Sequence, residues 1–169
     1  YSGTISNSLV IAGDISDHSL EIDGPAGSLE GSFTIDGLTL IGNTTTENGE
    51  YADLRDGAMG TIRNVYATGF KSSADVELDN NEVSQNFLDG KIVFQNWVLN
   101  GADNTVFVEK VACISNCDDG DDNNDVNEEK IILNPTFTER AASWTTTGTS
   151  GGANTGVFSW TFASAKGAF

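Results

Sequence analysis

A short phrase recurs along this chain, and its spacing constrains the fold more than any other feature. It reads Gly31-Ser-Phe-Thr-Ile-Asp-Gly-Leu-Thr-Leu-Ile-Gly42, then Gly60-Thr-Ile-Arg-Asn-Val-Tyr-Ala-Thr-Gly69, then Gly90-Lys-Ile-Val-Phe-Gln-Asn-Trp-Val-Leu-Asn-Gly101. Each copy starts at a glycine, runs through β-prone residues and carries Gly or Asn in its middle, at Gly37, Asn64 and Asn96. A weaker first copy lies between Ile5 and Gly13. Repeats of about thirty residues belong to stacked-coil architectures, in which each coil buries a strand face against its neighbours.

Apolar alternation changes phase inside every copy. Phe33 and Ile35 precede the shift and Leu38 and Leu40 follow it; Ile62 with Val65, and Phe94 with Trp97, repeat the step. A phase change at Gly or Asn is the mark of a bulge or corner, which turns the chain while keeping apolar groups inward. The repeat therefore predicts corners at Gly37, Asn64 and Asn96, with launching turns at Gly31, Gly60 and Gly90. Thr4–Ile11, Ser19–Asp23, Ala52–Leu54 and Val76–Leu78 read as further strands, the last two on another face of the coil. No amphipathic helix stands out beyond short turns at Glu128–Ile132 and Thr138–Ala142. The fold expected is all-β: a right-handed parallel β-helix of about four coils with a C-terminal cap. Its competitor is an antiparallel β-sandwich or jelly roll, which also strings short strands between turns. Residues 1–112 form the coils, 113–130 a Cys-pinned acidic loop, and 131–169 C-terminal strands with an aromatic cap. In that cap Phe158, Trp160 and Phe162 plug the open end, as a solenoid end requires. Trp160 and Phe162 are also the candidates for a surface contact.

The formal charge is -17, from 25 acidic and 8 basic groups. Such a surface repels nucleic acid and anionic membranes, and no apolar run is long enough to span a bilayer. Cations, or a basic patch on another protein, are its natural complements. The chain starts at Tyr1 and reads as a mature or trimmed segment of something longer. Cys113 and Cys117, with three residues between them, miss both zinc-site and Cys-x-x-Cys spacing and read as a local disulfide, which favours an extracytoplasmic site.

The acidic run from Cys117 to Glu129 is the sharpest chemical candidate. Calcium takes six to eight oxygens, and the alternation Asp119, Asp121, Asn123, Asp125 would supply several. It is not an EF-hand: counted from Asp119, position six is Asn124 and position twelve is Lys130. A solvated acidic loop is the plainer reading. Catalysis has less to stand on. His18 is the only histidine and reads as an ordinary surface residue. Asp53, Arg55 and Asp56 cluster, with Asp75, Glu77 and Asp79 a face away, and paired carboxylates can cut glycosides; Arg55 is better read as pairing with a neighbouring acid. The runs Thr44–Thr46 and Thr145–Thr147 evoke threonine ladders, but the aligned copies show no Thr at one register in consecutive coils.

The stretches Arg55–Phe70, Phe87–Gly101 and Val157–Phe169 together resemble the C-terminal part of a family of extracytoplasmic β-helix proteins of Bacteroidota, found beside SusC/SusD-type TonB-dependent receptors. The resemblance spans residues 31–169. Where similar proteins read Trp-Thr-Trp and end on Ala-Leu, this chain has Trp160-Thr-Phe162 and Ala168-Phe169. It implies a secreted or outer-membrane surface protein, with a longer N-terminal half and no catalytic residues to carry over. The function expected is a non-catalytic binding or structural module, an accessory of a SusCD-like uptake complex whose partner is the receptor or a glycan. The alternatives are a carbohydrate-active β-helix enzyme or its remnant, and a self-assembling surface or filament protein. No cofactor is required on this reading, apart from the candidate calcium.

Overall fold

A computed structural model describes residues 2–24, 31–43, 50–71, 74–100, 106–109, 131 and 133–169, with the side chains of Val106, Val108 and Glu109 left aside. Strands β1 (Gly3–Ile11), β2 (Glu21–Ile22), β3 (Phe33–Ile41), β4 (Ala52–Leu54), β5 (Gly60–Thr68) and β6 (Asp75–Leu78) alternate between two sheets. Helix α1 (Asn81–Leu88) follows, then β7 (Ile92–Leu99), β8 (Val106–Glu109), helix α2 (Phe137–Ala141), β9 (Thr145–Thr147) and helix α3 (Phe162–Ala165). One sheet runs β1-β3-β5-β7-β9 and the other β2-β4-β6-β8, and every pairing is parallel. Four coils each give one strand to each sheet, and β9 adds a further rung. This is the expected parallel β-helix; the antiparallel sandwich is overturned.

Registry holds from coil to coil. Ile5, Ile35, Ile62 and Phe94 align, as do Val10, Leu40, Ala67 and Leu99. These ladders are the core: Ile62 and Leu40 are fully buried, and Trp97 is sealed with its indole N–H donating to the Ile62 carbonyl at 3.1 Å. The predicted corners stand in one column. Gly37, Asn64 and Asn96 all have positive φ, and Asn7 joins them with φ 51°. Asparagine tolerates this left-handed geometry better than other side chains, and here its amide also bonds along the stack. Asn96 Nδ2 donates to Asn64 Oδ1 at 2.8 Å, and Asn64 Nδ2 donates to Asp36 Oδ1 at 2.7 Å.

Four expectations need correction. Gly60 is no launching turn: it is the first residue of β5, aligned with Phe33 and Ile92, because the Phe33 ring lies where its Cβ would be. Helix α1 was not expected. Its signals are local and short: Asn80 caps Val83 N–H, Val83 and Phe87 share a face, and Gly90 ends it at φ +70°. Threonines do align in consecutive coils, at Thr4, Thr34 and Thr61, but the adjoining rank Ser6, Asp36, Arg63, Gln95 carries an ion pair of 2.8 Å. Finally, Phe158, Trp160 and Phe162 do not plug the coil. Trp160 is 83% exposed and Phe162 77%. The end after β7 is filled instead by Phe137 and Trp144, which pack with Phe87, Phe94 and Phe107 at centroid distances of 4.9 to 6.0 Å. Residue Thr136 starts α2 with a reciprocal cap to Glu139, so the expected turn near Thr138–Ala142 is a genuine helix.

After β9 the chain turns back across the outside of the first sheet. Gly148 lies against Val98, Gly151 against Val98 and Tyr66, and Gly152 against Leu38, Thr39 and Tyr66. Ala153 N–H donates to Thr39 Oγ1 at 3.0 Å and Asn154 N–H to Asn7 Oδ1 at 2.6 Å. Residues 148–154 are thus a strap from the fourth coil to the first, and Thr39 beneath it is only 3% exposed.

Candidate functional site

The ionisable groups singled out from sequence gather on the second sheet. Parallel pairing sets Glu21 beside Asp53 and Asp53 beside Glu77, one residue per coil. Asp53 and Glu77 are therefore neighbours in one ladder, and the expected division into two faces is wrong: strands of successive coils stack directly. By alternation both point away from the apolar core, whose inward residues are Ala52, Leu54, Val76 and Leu78, yet they are 2% and 7% exposed. Carboxylate oxygens of Asp53, Glu77 and Asp79 lie within 4.8 Å of one another, as do those of Glu50, Asp75 and Glu77. Asp56 stands outside this seam, in the left-handed turn after β4.

Arg55 and the imidazole of His18 flank Asp53. Arg55 donates to Asp23 at 2.9 Å and to Glu21 on the preceding coil, and its Nε lies 3.8 Å from Asp53. Burial works against the charge on Arg55; the hydrogen bond and attraction to Asp23, with Glu21 and Asp53, outweigh it and raise its pKa above the ordinary value. His18 is not the ordinary surface residue expected. Its side chain is 16% exposed, with Nε2 at 2.9 Å from Glu50 and 3.8 Å from Asp53. A parallel bridge between His18 and Glu50 places it there. That bridge joins two loops and left no periodic signal in the sequence.

Three or more carboxylates this close need positive charge or protons to offset them. The oxygen-rich chemistry suits a hard cation, and the residues that would hold one are Asp53, Glu77 and Asp79. Asp53 and Glu77 are sealed from a polymer substrate, and Arg55 is held by the carboxylates beside it.

The remaining candidates fall in other places. Cys113, Cys117 and the calcium candidates Asp119, Asp121, Asn123 and Asp125 lie outside the described residues, and so does the Thr44–Thr46 run. Trp160 and Phe162 are exposed on the tail that leaves the strap, with Lys166 Nζ 5.3 Å from the Phe162 ring centroid. Among the described residues no helix is long and apolar enough to cross a membrane. A family model described as a pectate-lyase-like β-helix domain matches residues 1–163. No curated protein and no solved structure matches the chain. With its strands stacked in parallel and in register from coil to coil, the chain belongs to the pectate-lyase-like β-helix domain family.

Proposed function

We propose that this chain is a non-catalytic β-helical binding and structural module, displayed outside the cytoplasm as an accessory of a SusCD-like uptake complex. The observation that carries the non-catalytic part is how the second sheet uses its ionisable groups. A group that cuts a polysaccharide must reach the sugar, and Asp53 and Glu77 are 2% and 7% exposed. Arg55 bonds Glu21 and Asp23, and His18 Nε2 stands 2.9 Å from a Glu50 oxygen. Chemistry of this kind ties coil to coil. The placement at the outer membrane rests on the resemblance of Arg55–Phe70 and Val157–Phe169 to the Bacteroidota proteins, and the net charge of -17 disfavours nucleic acid as a partner.

The test has two arms. Incubated with a panel of acidic and neutral polysaccharides, with and without calcium, the protein is expected to release neither reducing ends nor unsaturated sugars; release of either overturns the non-catalytic reading. Affinity capture from outer-membrane extract is expected to recover a SusC/SusD-like pair, and recovery of the protein alone would remove the accessory role. Calcium belongs to the same proposal through the acidic run at 118–129: chelation lowers the melting temperature if the ion is held, and an unchanged melt rejects it.

A further inference from the structure

One end of the acidic seam is not purely acidic. Three sets of ligand-bearing side chains overlap along it: Asp17 with His18 and Glu50, Glu50 with Asp75 and Glu77, and Asp53 with Glu77 and Asp79. Within each set one ligand atom per residue lies within 4.8 Å of the others. Glu50 belongs to two sets and so does Glu77, which makes the seam a continuous line of carboxylates with an imidazole at its end. Access is graded along the same line. Asp53 and Glu77 are sealed, whereas the side chains of His18 and Glu50 are 16% and 19% exposed and that of Asp17 is 57% exposed. An ion arriving from solvent meets the His18 set first.

His18 is held in this set by its backbone rather than by its ring. Glu50 N–H donates to the Asp17 carbonyl and Ser19 N–H to the Glu50 carbonyl, both at 2.9 Å, so pairing of the first coil with the second fixes where the side chains start. Among the described residues neither ring nitrogen of His18 makes a hydrogen bond. Nε2 stands 2.9 Å from Glu50 Oε2, yet that buried oxygen takes no hydrogen bond from the ring. Nδ1 lies 3.9 Å from Asp17, and Nε2 lies 3.8 Å from Asp53, both beyond hydrogen-bond reach. Two electron-rich atoms held this close are stabilised by a cation that they share. The spacing also fits one: an ion about 2.1 Å from each of two ligand atoms sets those atoms roughly 3 Å apart.

We propose that Asp17, His18 and Glu50 form a site for a divalent first-row transition ion of the zinc type, with water completing its coordination. Ligand chemistry selects the ion. Calcium takes six to eight oxygens, whereas this set offers two carboxylates and an imidazole, a mixture that suits zinc, cobalt or nickel. Charge agrees with this choice. Two carboxylates and a neutral imidazole balance a divalent ion, and Asp75 and Glu77 beyond Glu50 add a negative potential that draws it in. Bound there, the ion ties the segment before β2 to the segment before β4, one coil to the next. The site is separate from the calcium candidate at 118–129 and serves an enzyme as well as a binding module, so its failure and that of the non-catalytic reading are seen in different assays.

The probe is Zn²⁺ added to the whole protein after chelation and dialysis, with Co²⁺ as its coloured substitute. Calorimetry is expected to show saturable Zn²⁺ binding, and the melting temperature to rise by roughly 5–10 °C at about a hundred times the dissociation constant. Cobalt should give the weak visible bands of nitrogen and oxygen ligands, without the intense near-ultraviolet absorption of a thiolate that Cys113 or Cys117 would add. His18→Gln should weaken Zn²⁺ by more than the roughly tenfold that losing an outer-shell partner alone costs. Excess Ca²⁺ should leave the cobalt spectrum unchanged. Should His18→Gln fail to fold, the cobalt spectrum and the calcium competition on the unaltered protein decide alone. Absence of saturable Zn²⁺ binding, equal affinity in the parent and His18→Gln, thiolate absorption, or displacement of cobalt by calcium each overturns the proposal.

Discussion

Gly152 and Gly90 make a controlled pair. Both have φ +70°, so an alanine at either position meets the left-handed penalty of about 1–2 kcal/mol. Their surroundings differ completely. Around Gly90 nothing lies within 4 Å of an added Cβ, whereas at Gly152 the Cβ would stand 2.5 Å from the Leu38 carbonyl oxygen, 2.6 Å from Thr39 Oγ1 and 2.9 Å from Tyr66 Cβ. Backbone of a central strand cannot retreat, so the strap must lift. Lifting breaks the 3.0 Å bond from Ala153 N–H to Thr39, a loss of about 1 kcal/mol, and crowding of this kind adds about 1–3 kcal/mol. Gly152→Ala should therefore cost about 2 kcal/mol or more beyond Gly90→Ala. In a domain of this size that is a melting difference of roughly 4–8 °C between the two variants. Truncation after Thr147 sets the ceiling, because Gly152→Ala can do no more than release the strap. The assay is thermal unfolding followed by circular dichroism, with all four proteins at one pH and concentration. Equal melting temperatures for the two alanine variants would refute the idea that residues 148–154 bear on the sheet.

Three further outcomes follow from the ladders. Asn64→Gly keeps the corner's backbone and loses the amide bonds to Asp36 and Asn96, so it should cost about 1 kcal/mol, and Asn64→Ala about 1–2 kcal/mol more by adding the left-handed penalty; urea melts of both compare them. Trp97→Phe leaves the Ile62 carbonyl without its indole donor and opens a void in a fully buried site, an expected loss of about 2–4 kcal/mol in the same assay. Asp36 has its pKa lowered by hydrogen bonds from Asn64 and then Arg63, so its contribution is complete above the ordinary carboxylate value of 3.8 and is lost as pH falls through the lower folded value. Asp36→Asn should accordingly melt lower than the parent at pH 7, with the gap closing in more acid solution; a gap that widens there means the sign is wrong.

The column of corners was legible because backbone geometry and side-chain identity coincide at it. Only a residue that accepts positive φ can sit where the strand changes phase, and Gly37, Asn64 and Asn96 advertise this whatever surrounds them. Registry was less legible. Taking Gly60 as equivalent to Gly31 and Gly90 slips the middle copy by two residues, because Gly60 is there to admit the Phe33 ring rather than to turn. The same slip hid the alignment of Thr4, Thr34 and Thr61. The acidic seam was half visible: Asp53 and Glu77 could be named, but neighbours a coil apart in sequence become stacked only once turn lengths are known. His18 could not be placed at all, since its parallel bridge to Glu50 joins two irregular segments. Aromatic content alone misdirected the cap. Phe158, Trp160 and Phe162 are denser in sequence than Phe137 and Trp144, yet it is the latter pair that leads directly into β9, the rung paired with β7.

The strap changes what a stack of coils can do thermodynamically. In a simple solenoid each coil touches only its neighbours, so terminal coils open independently of the rest. Here Asn154 is hydrogen-bonded to Asn7 in the first coil, and Gly148 N–H to Leu99 in the fourth. Opening the first coil requires releasing a segment that also rests on β3, β5 and β7, which couples the ends across the whole sheet. The coupling falls at Asn7, the left-handed corner of β1. Truncation after Thr147 should therefore speed hydrogen exchange in Gly3–Ile11 as well as lower the melt, whereas Gly90→Ala, which meets no atom of the strap, should affect the melt alone. Unchanged exchange in Gly3–Ile11 after truncation would refute the coupling.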